Sequence, residues 1–386
     1  MGGQSFGQAT DLPIDYDVVT DIEKTCSGCH GLRYLDLAQG YDTSTEWSHL
    51  ISSMVSLPSA RLSAISDHLA SRYPHKPEKA PRLIDGETNI VIDEWVTPTL
   101  GQRTRDPIEA PDGAIWWTGM WASLVGRLDL ETGTMREYPL PSSARPHSIV
   151  PDDKGFIWYT GNSNGTIGRL NPVDGSIKEF PTQARDPHTA VFHPNGKLYF
   201  TSQHSNMLGR LDPESGELVE VETRRKPYGI KVGAEGDLFI AFNGTNAIGR
   251  MDAESLEVAY YSIPDERTRI RRLDIDNKGN VWFVNSSLGK IGKLAIETGE
   301  ITQWDSPSGE RSHPYSMTVI DDVIWYNESG MRPDALVRFD PATETFQSWA
   351  MPSGIGIIRH TWKMRDGDLL IHQSSSNRVG RVRIGK

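Results

Sequence analysis

From residue 90 onward the chain alternates short apolar runs with turn-rich polar segments at a regular interval. Seven runs stand out: Ile115-Trp-Trp-Thr118, Ile157-Trp-Tyr-Thr160, Leu198-Tyr-Phe-Thr201, Leu238-Phe-Ile-Ala241, Val281-Trp-Phe-Val284, Ile324-Trp-Tyr-Asn327 and Leu369-Leu-Ile-His372. Runs this short, rich in aromatic and β-branched residues and preceded by turns such as Pro111-Asp-Gly or Asn277-Lys-Gly, predict buried strands. About ten residues after each comes a phrase of the form apolar-Gly-Arg-Leu-Asp, as in Val125-Gly-Arg-Leu-Asp129 and Leu208-Gly-Arg-Leu-Asp212. Its second position falls at 126, 168, 209, 249, 292, 337 and 380. Seven copies at the ~40–45-residue interval of a propeller blade predict a seven-bladed β-propeller over 90–386.

Each copy continues through a turn into an outer strand such as Met135-Arg-Glu-Tyr138 or Ile301-Thr-Gln-Trp304, giving four strands per blade. The repeated glycine is expected where neighbouring strands approach closely. The last copy stops without an outer strand, whereas Ile90-Val-Ile-Asp-Glu-Trp95 has that pattern and precedes the first copy. Residues 90–95 are therefore expected to close the last blade, which removes an exposed sheet edge. Residues 76–89 read as a linker. Before them the period changes from strand to helix: Asp17–Lys24, Trp47–Met54 and Ser59–Tyr73 read as helices, the last with Leu62, Ile65 and Leu69 on one stripe. The fold class is thus mainly β, a propeller preceded by a small all-α domain over 14–75, with 1–13 disordered or foreign to the protein.

Composition changes this picture in three ways. An apolar share of 37% in 386 residues provides a core, and no run approaches the ~20 apolar residues of a membrane span. A net charge of −11 argues against a general nucleic-acid binder. The two cysteines, Cys26 and Cys29, stand in Thr25-Cys26-Ser27-Gly28-Cys29-His30. C-x-x-C-H is the attachment motif of haem c, two thiols for two vinyl groups and His30 for the iron. A redox pair or half a zinc site are the alternatives; no further cysteine exists to complete zinc.

With these flanks the segment resembles a very short class I cytochrome c. The resemblance implies Met54 as sixth iron ligand, with His49 or His68 as a bis-His alternative, and Arg33 as a propionate partner. It also implies export to the periplasm, although residues 1–20 hold no apolar leader core.

The remaining repeat, Pro-His followed by the aromatic strand and the Gly-Arg-Leu-Asp phrase, resembles the virginiamycin B (streptogramin B) lyase family across about 90–386. In that family a histidine base and a divalent ion held by glutamate and histidine eliminate across an ester. Residues opening the inner strands here are His147, His188, Tyr228, Tyr315 and His360, with Arg271-Arg272 in the fifth blade and Ile108-Glu109 in the first. His204, His313 and His372 stand beside neighbouring inner elements, so six histidines are expected near one axis. The resemblance places glutamates after the aromatic strand. Of Gly119, Gly161, Ser202, Phe242, Asn285, Glu328 and Gln373 only Glu328 is a carboxylate. Candidate catalytic residues are His147, His188, His360, Tyr228, Tyr315, Arg272 and Glu328, and a channel metal is expected on His147, His188, His360 and Glu328. Arg224, Arg225 and Lys226, and Arg267, Arg269, Arg271 and Arg272, form basic clusters suited to an anionic substrate, while Trp116, Trp117 and Trp121 offer an aromatic wall.

These features predict a periplasmic haem c oxidoreductase, its substrate bound in the propeller channel and its electrons passed through the fused cytochrome to a redox partner protein. Two alternatives stand beside it. One is a carbon–oxygen lyase with a channel histidine base and a divalent metal. The other is a non-catalytic electron-transfer or binding module for a partner enzyme.

Overall fold

The computed structural model describes residues 12–27, 32, 35, 43–73, 79–354 and 356–385. Seven four-stranded sheets follow one another along the chain, and in six of them the strands are bonded in sequence order from the inside outward. In the seventh, strand Ile90–Val96 lies outermost, antiparallel to Arg378–Ile384 with Ile90 opposite Ile384 and Val96 opposite Arg378. The first strand of the ring thus completes its last blade. The ring is tied by side chains as well: Thr118, Thr160 and Thr201, each near the end of a second strand, donate to the carbonyls of His147, His188 and Tyr228 in the next blade at 3.0, 3.0 and 2.7 Å.

The glycine of the repeated phrase has a more specific cause than close strands. Gly126, Gly168, Gly209 and Gly292 lie directly opposite Trp117, Tyr159, Phe200 and Phe283 of the second strand. A Cβ on Gly126 would stand 2.0 Å from Trp117 Cζ2, and one on Gly168 2.0 Å from Tyr159 Cζ. The glycine makes room for the neighbouring aromatic ring, and those rings build the core between blades. The sixth blade solves the same problem differently, with Val337 opposite Tyr326.

Three helices, Val18–Ser27, Ser44–Ser52 and Ser59–Arg72, form the small all-α region. The first extends past the expected Lys24, and Met54 falls just beyond the end of the second. A capping box of Thr43 and Glu46 starts the second helix, and Ile22, Trp47, Leu50, Ile51, Ile65, Leu69 and Tyr73 form the helices' shared core. Arg61 Nε donates to Asp21 Oδ2 at 2.9 Å, joining the first helix to the third. The helices rest on the ring where Gly101 N donates to the Ser53 carbonyl at 2.9 Å. Gly101 has φ +66°, and a Cβ there would meet the Met54 carbonyl oxygen at 2.9 Å, so glycine is required both for the turn and for the approach. Between helices and ring the chain runs along the sixth blade, with Ile84 paired to Ser348. Among the described residues no helix is long and apolar enough to cross a membrane.

Replacing Gly168 by Ala is expected to destabilise the ring by about 1–3 kcal/mol, the usual cost of overpacking a filled core. Chemical denaturation of the variant against wild type measures it.

Candidate functional site at the channel mouth

Strand pairing aligns the blades residue by residue. Thr104, Pro146, Pro187, Pro227, Ile270 and Pro314 open their inner strands opposite Gly119, Gly161, Ser202, Phe242, Asn285 and Glu328. The next position is therefore equivalent in each blade: Arg105, His147, His188, Tyr228, Arg271 and Tyr315. In the seventh blade Trp362 faces Leu370 as Val150 faces Trp158, which puts Arg359 in this first tier and His360 in the second. The second tier is Asp106, Ser148, Thr189, Gly229, Arg272, Ser316 and His360. The sequence-based alignment of the first blade on Ile108-Glu109 is displaced by three residues. The register shift after the strand start is common to six blades, but in the first the proline, Pro107, follows the tier residues instead of preceding them.

The first tier forms a chain of stacked rings and guanidinium groups. The His147 and His188 ring centroids are 3.7 Å apart, and those of His188 and Tyr228 4.2 Å. Tyr228 and Tyr315 are hydrogen-bonded through their hydroxyls. The Arg271 guanidinium lies 4.4 Å from the Tyr315 ring centroid and that of Arg359 5.2 Å. Arg105 Nη1 donates to His147 Nε2 at 2.8 Å, which occupies that lone pair and assigns the imidazole proton to Nδ1.

In the second tier Arg272 Nη2 meets Asp106 Oδ2 at 3.2 Å, Nη1 donates to Thr189 Oγ1 at 3.1 Å and Nε donates to the Arg359 carbonyl at 3.2 Å. Asp106 and Arg272 are 1% and 3% exposed, so this is a fully buried ion pair. Asp106 sits at φ 38°, a strained value for a residue with a Cβ, and His147 Nδ1 and His360 Nδ1 lie 3.6 and 4.0 Å from its Oδ2.

Burial first, and then neighbouring cations, hold His147, His188, His360 and His372 well below the usual imidazole range, so all four are neutral. His372 is structural: its Nε2 accepts from the backbone N–H groups of Arg359 and His360, and its Nδ1 donates to the Thr104 carbonyl at 2.8 Å. His204 is exposed, tied through its backbone to Asp186, so the expected gathering of six histidines at one axis is not realised. The gathered set is His147, His188, His360 and His372, with His313 at the mouth.

At the mouth lies a cavity of about 390 Å³ between ring and helices. Its ring side includes Arg271, His313, Tyr315, Arg332 and Arg359; its helical side is apolar, with Cys26, Trp47, Leu50, Ile51, Met54 and Leu69. His147, His188 and His360 do not line it. Of the expected aromatic wall only Trp121 does, beneath the Arg103 guanidinium at 4.5 Å, since Trp116 and Trp117 are core.

His313 has φ 48°, another strained backbone beside the cavity. Ser329 Oγ donates its single proton to the His313 carbonyl at 2.8 Å, so the contact of 3.1 Å between Ser329 Oγ and His313 Nδ1 is a donation from the ring. That tautomer leaves the lone pair on Nε2. Burial, with Arg271, Arg359 and Arg332 alongside, lowers His313 to about 3.

The expected channel metal is not supported by this arrangement. Glu328 is 0% exposed and its carboxylate is taken up by Ser306 Oγ at 2.6 Å, Ser308 N at 2.9 Å and Ser308 Oγ, all of which donate to it. Among the described residues no group of three or more His, Cys, Asp or Glu side chains is placed to hold a metal. Of the expected haem set, Cys29, His30 and Arg33 lie outside the described residues, and Cys26 and Met54 border the cavity. Of the basic clusters, Arg271 and Arg272 enter the channel, Arg267 is paired on the surface with Asp265 and Glu310, and Arg224 covers Tyr260. Asp106, Arg105, Arg332 and Arg359 were not foreseen. The signal for Asp106 was the double arginine of the fifth blade, a buried positive charge that requires a partner.

Arg272→Met should cost about 3–5 kcal/mol, because it leaves Asp106 buried without its partner. Denaturation of Arg272→Met beside the double variant with Asp106→Asn measures this, the double variant recovering part of the loss. The neutral His313 gives a pH signature. Its folded value lies below the unfolded one, so its stability contribution is intact above 6.5 and is lost as pH falls toward about 3. The stability difference between wild type and His313→Gln, followed by thermal unfolding across that window, should shrink with acid.

The virginiamycin B lyase family model matches residues 84–221 and 214–385. A streptogramin B lyase structure is 23% identical, covering 77% of this chain and 98% of that one, with a TM-score of 0.69. Virginiamycin B lyase from Staphylococcus aureus is 24% identical, covering 76% of this chain and 99% of its own, with a TM-score of 0.68. A catalytically inactive histidine-to-alanine variant of that lyase, solved with quinupristin, has 24% identity over 76% and 99% of the two chains and a TM-score of 0.67. No curated protein matches. These matches overturn the oxidoreductase expectation, and with it haem c, electron transfer through a fused cytochrome and the redox partner protein. Acid–base and cationic groups line the mouth, which suits proton transfer and anion stabilisation. The preceding helices stand as a small all-α region that the family match, which begins at residue 84, does not cover. From residue 84 to residue 385, this chain belongs to the virginiamycin B lyase family.

Proposed function

We propose that the protein is a carbon–oxygen lyase that opens an ester by elimination at the channel mouth, with His313 as proton acceptor. The observation that carries this reading is a neutral imidazole, its tautomer fixed by Ser329, lining a cavity with Arg271, Arg332 and Arg359.

Elimination across an ester removes a proton from the carbon next to the one bearing the ester oxygen. The freed pair forms the new double bond, the carbon–oxygen bond breaks and a carboxylate departs. The proton passes to His313 Nε2, and the carboxylate is received by the guanidinium groups, charges already in place where negative charge develops. The arginines that depress His313 in the resting site are the groups the departing carboxylate neutralises. The imidazole therefore gains basicity as negative charge develops beside them. The reaction needs no water, consistent with the apolar helical side of the cavity. The substrate class is a small cyclic ester, supported by the quinupristin held by the S. aureus relative and by that relative's inactive histidine variant.

Turnover of quinupristin should give a ring-opened product of unchanged mass. His313→Ala should lower the rate by about 10²–10⁴-fold, the usual contribution of a general base. Mass spectrometry decides the chemistry: a product heavier by one water would mean hydrolysis and would sink the reading, as would full activity in the variant.

A further inference from the structure

The channel carries more buried positive charge than its carboxylates balance. Arg272 pairs with Asp106, and Arg332 with Asp334 at 3.4 Å. Among the described residues no ion pair involves Arg105, Arg271 or Arg359, and the Nε atom of each is buried without a hydrogen-bond partner. Guanidinium groups do not give up their protons in proteins, so this positive charge persists at the mouth and favours an anion beside it.

The side chain that Arg271 and Arg359 share is Tyr315. Arg271 and Arg359 lie over its ring, and Tyr228 is bonded to its hydroxyl oxygen. The other titratable neighbours cannot supply the charge: His147, His188, His313, His360 and His372 are neutral, and Asp106 is committed to Arg272.

We propose that Tyr315 rests as a phenolate, accepting the Tyr228 hydroxyl proton in a hydrogen bond and serving as the counter-ion of Arg271 and Arg359. The charge balance agrees with the local energetics. Burial raises the Tyr315 phenol, but Arg271, Arg359 and Arg105 together outweigh it and bring it well below its ordinary range. Tyr228 moves the other way, raised by burial and by Tyr315, as a donor to a phenolate must be. Tyr315 lines the cavity beside His313, with ring centroids 6.2 Å apart. The site thus holds a second proton acceptor, one that remains anionic until a carboxylate takes over the arginines.

This deepens the elimination reading by naming a second base in the same cavity, but its test reads ionisation and not turnover. Ultraviolet difference titration of the full chain should show one tyrosine of the 12 ionising well below the ordinary value of about 10. That transition should be absent in Tyr315→Phe and moved to higher pH in Tyr228→Phe, which lacks the donor. The proposal is overturned if wild type shows no tyrosine ionising below the ordinary value of about 10. It is equally overturned if the low transition survives in Tyr315→Phe or stays unmoved in Tyr228→Phe. A low transition without turnover of quinupristin would retire the lyase reading alone; turnover without the transition would retire the phenolate alone.

Discussion

The ion pair of Asp106 and Arg272 crosses the channel from the first blade to the fifth, and the inner surface of the ring is organised around it. Arg272 also reaches Thr189 of the third blade and the Arg359 carbonyl of the seventh, so one guanidinium joins four blades. A charge this deep is tolerated only when its donors and acceptors are satisfied. That requirement fixes the rotamers around it: His147 and His360 approach the same carboxylate, and His147 in turn stacks on His188. The strained backbone of Asp106 is the local cost of bringing the carboxylate to the axis.

Above that pair the first tier divides by function. On one side Arg105, His147 and His188 are packed against each other, their imidazoles neutral and buried. On the other side Tyr228, Arg271, Tyr315 and Arg359 lead up to the cavity, where His313 and the arginines meet the apolar faces of the helices. The same repeat position therefore yields packed side chains over part of the ring and a cavity lining over the rest. The choice depends on what covers it. The helices, docked through Ser53 and Gly101, enclose the mouth and give it a dry wall, in which charge interactions are stronger than in water.

Glu328 shows how position in a repeat differs from position in space. It follows the aromatic strand, where the resemblance places a metal-binding carboxylate, yet Ser306 and Ser308 donate to it and consume its oxygens. His372 is a similar case: it holds the backbone of Arg359 and His360 in place and is not free to accept a substrate's proton. Histidines that look alike in the sequence thus serve as packing, as backbone anchor and, in His313, as a cavity-lining imidazole with a lone pair left on Nε2.

By itself the sequence determined the repeat, the number of blades and the strand that closes them, because the short apolar runs and the turn residues around them are local and recur from blade to blade. It also marked the inner-strand positions that carry chemistry in five blades. In the first blade Pro107 follows Arg105 and Asp106 where the second, third, fourth and sixth blades carry a proline before the tier residues, and in the seventh only strand pairing could separate the registers of Arg359 and His360. Tertiary structure alone decided which of these groups meet across the axis and which are sealed from solvent. The pairing of Asp106 with Arg272, and the meeting of Arg271 and Arg359 at Tyr315, join residues from different blades. Their charges interact strongly only because ring closure brings them together and excludes water.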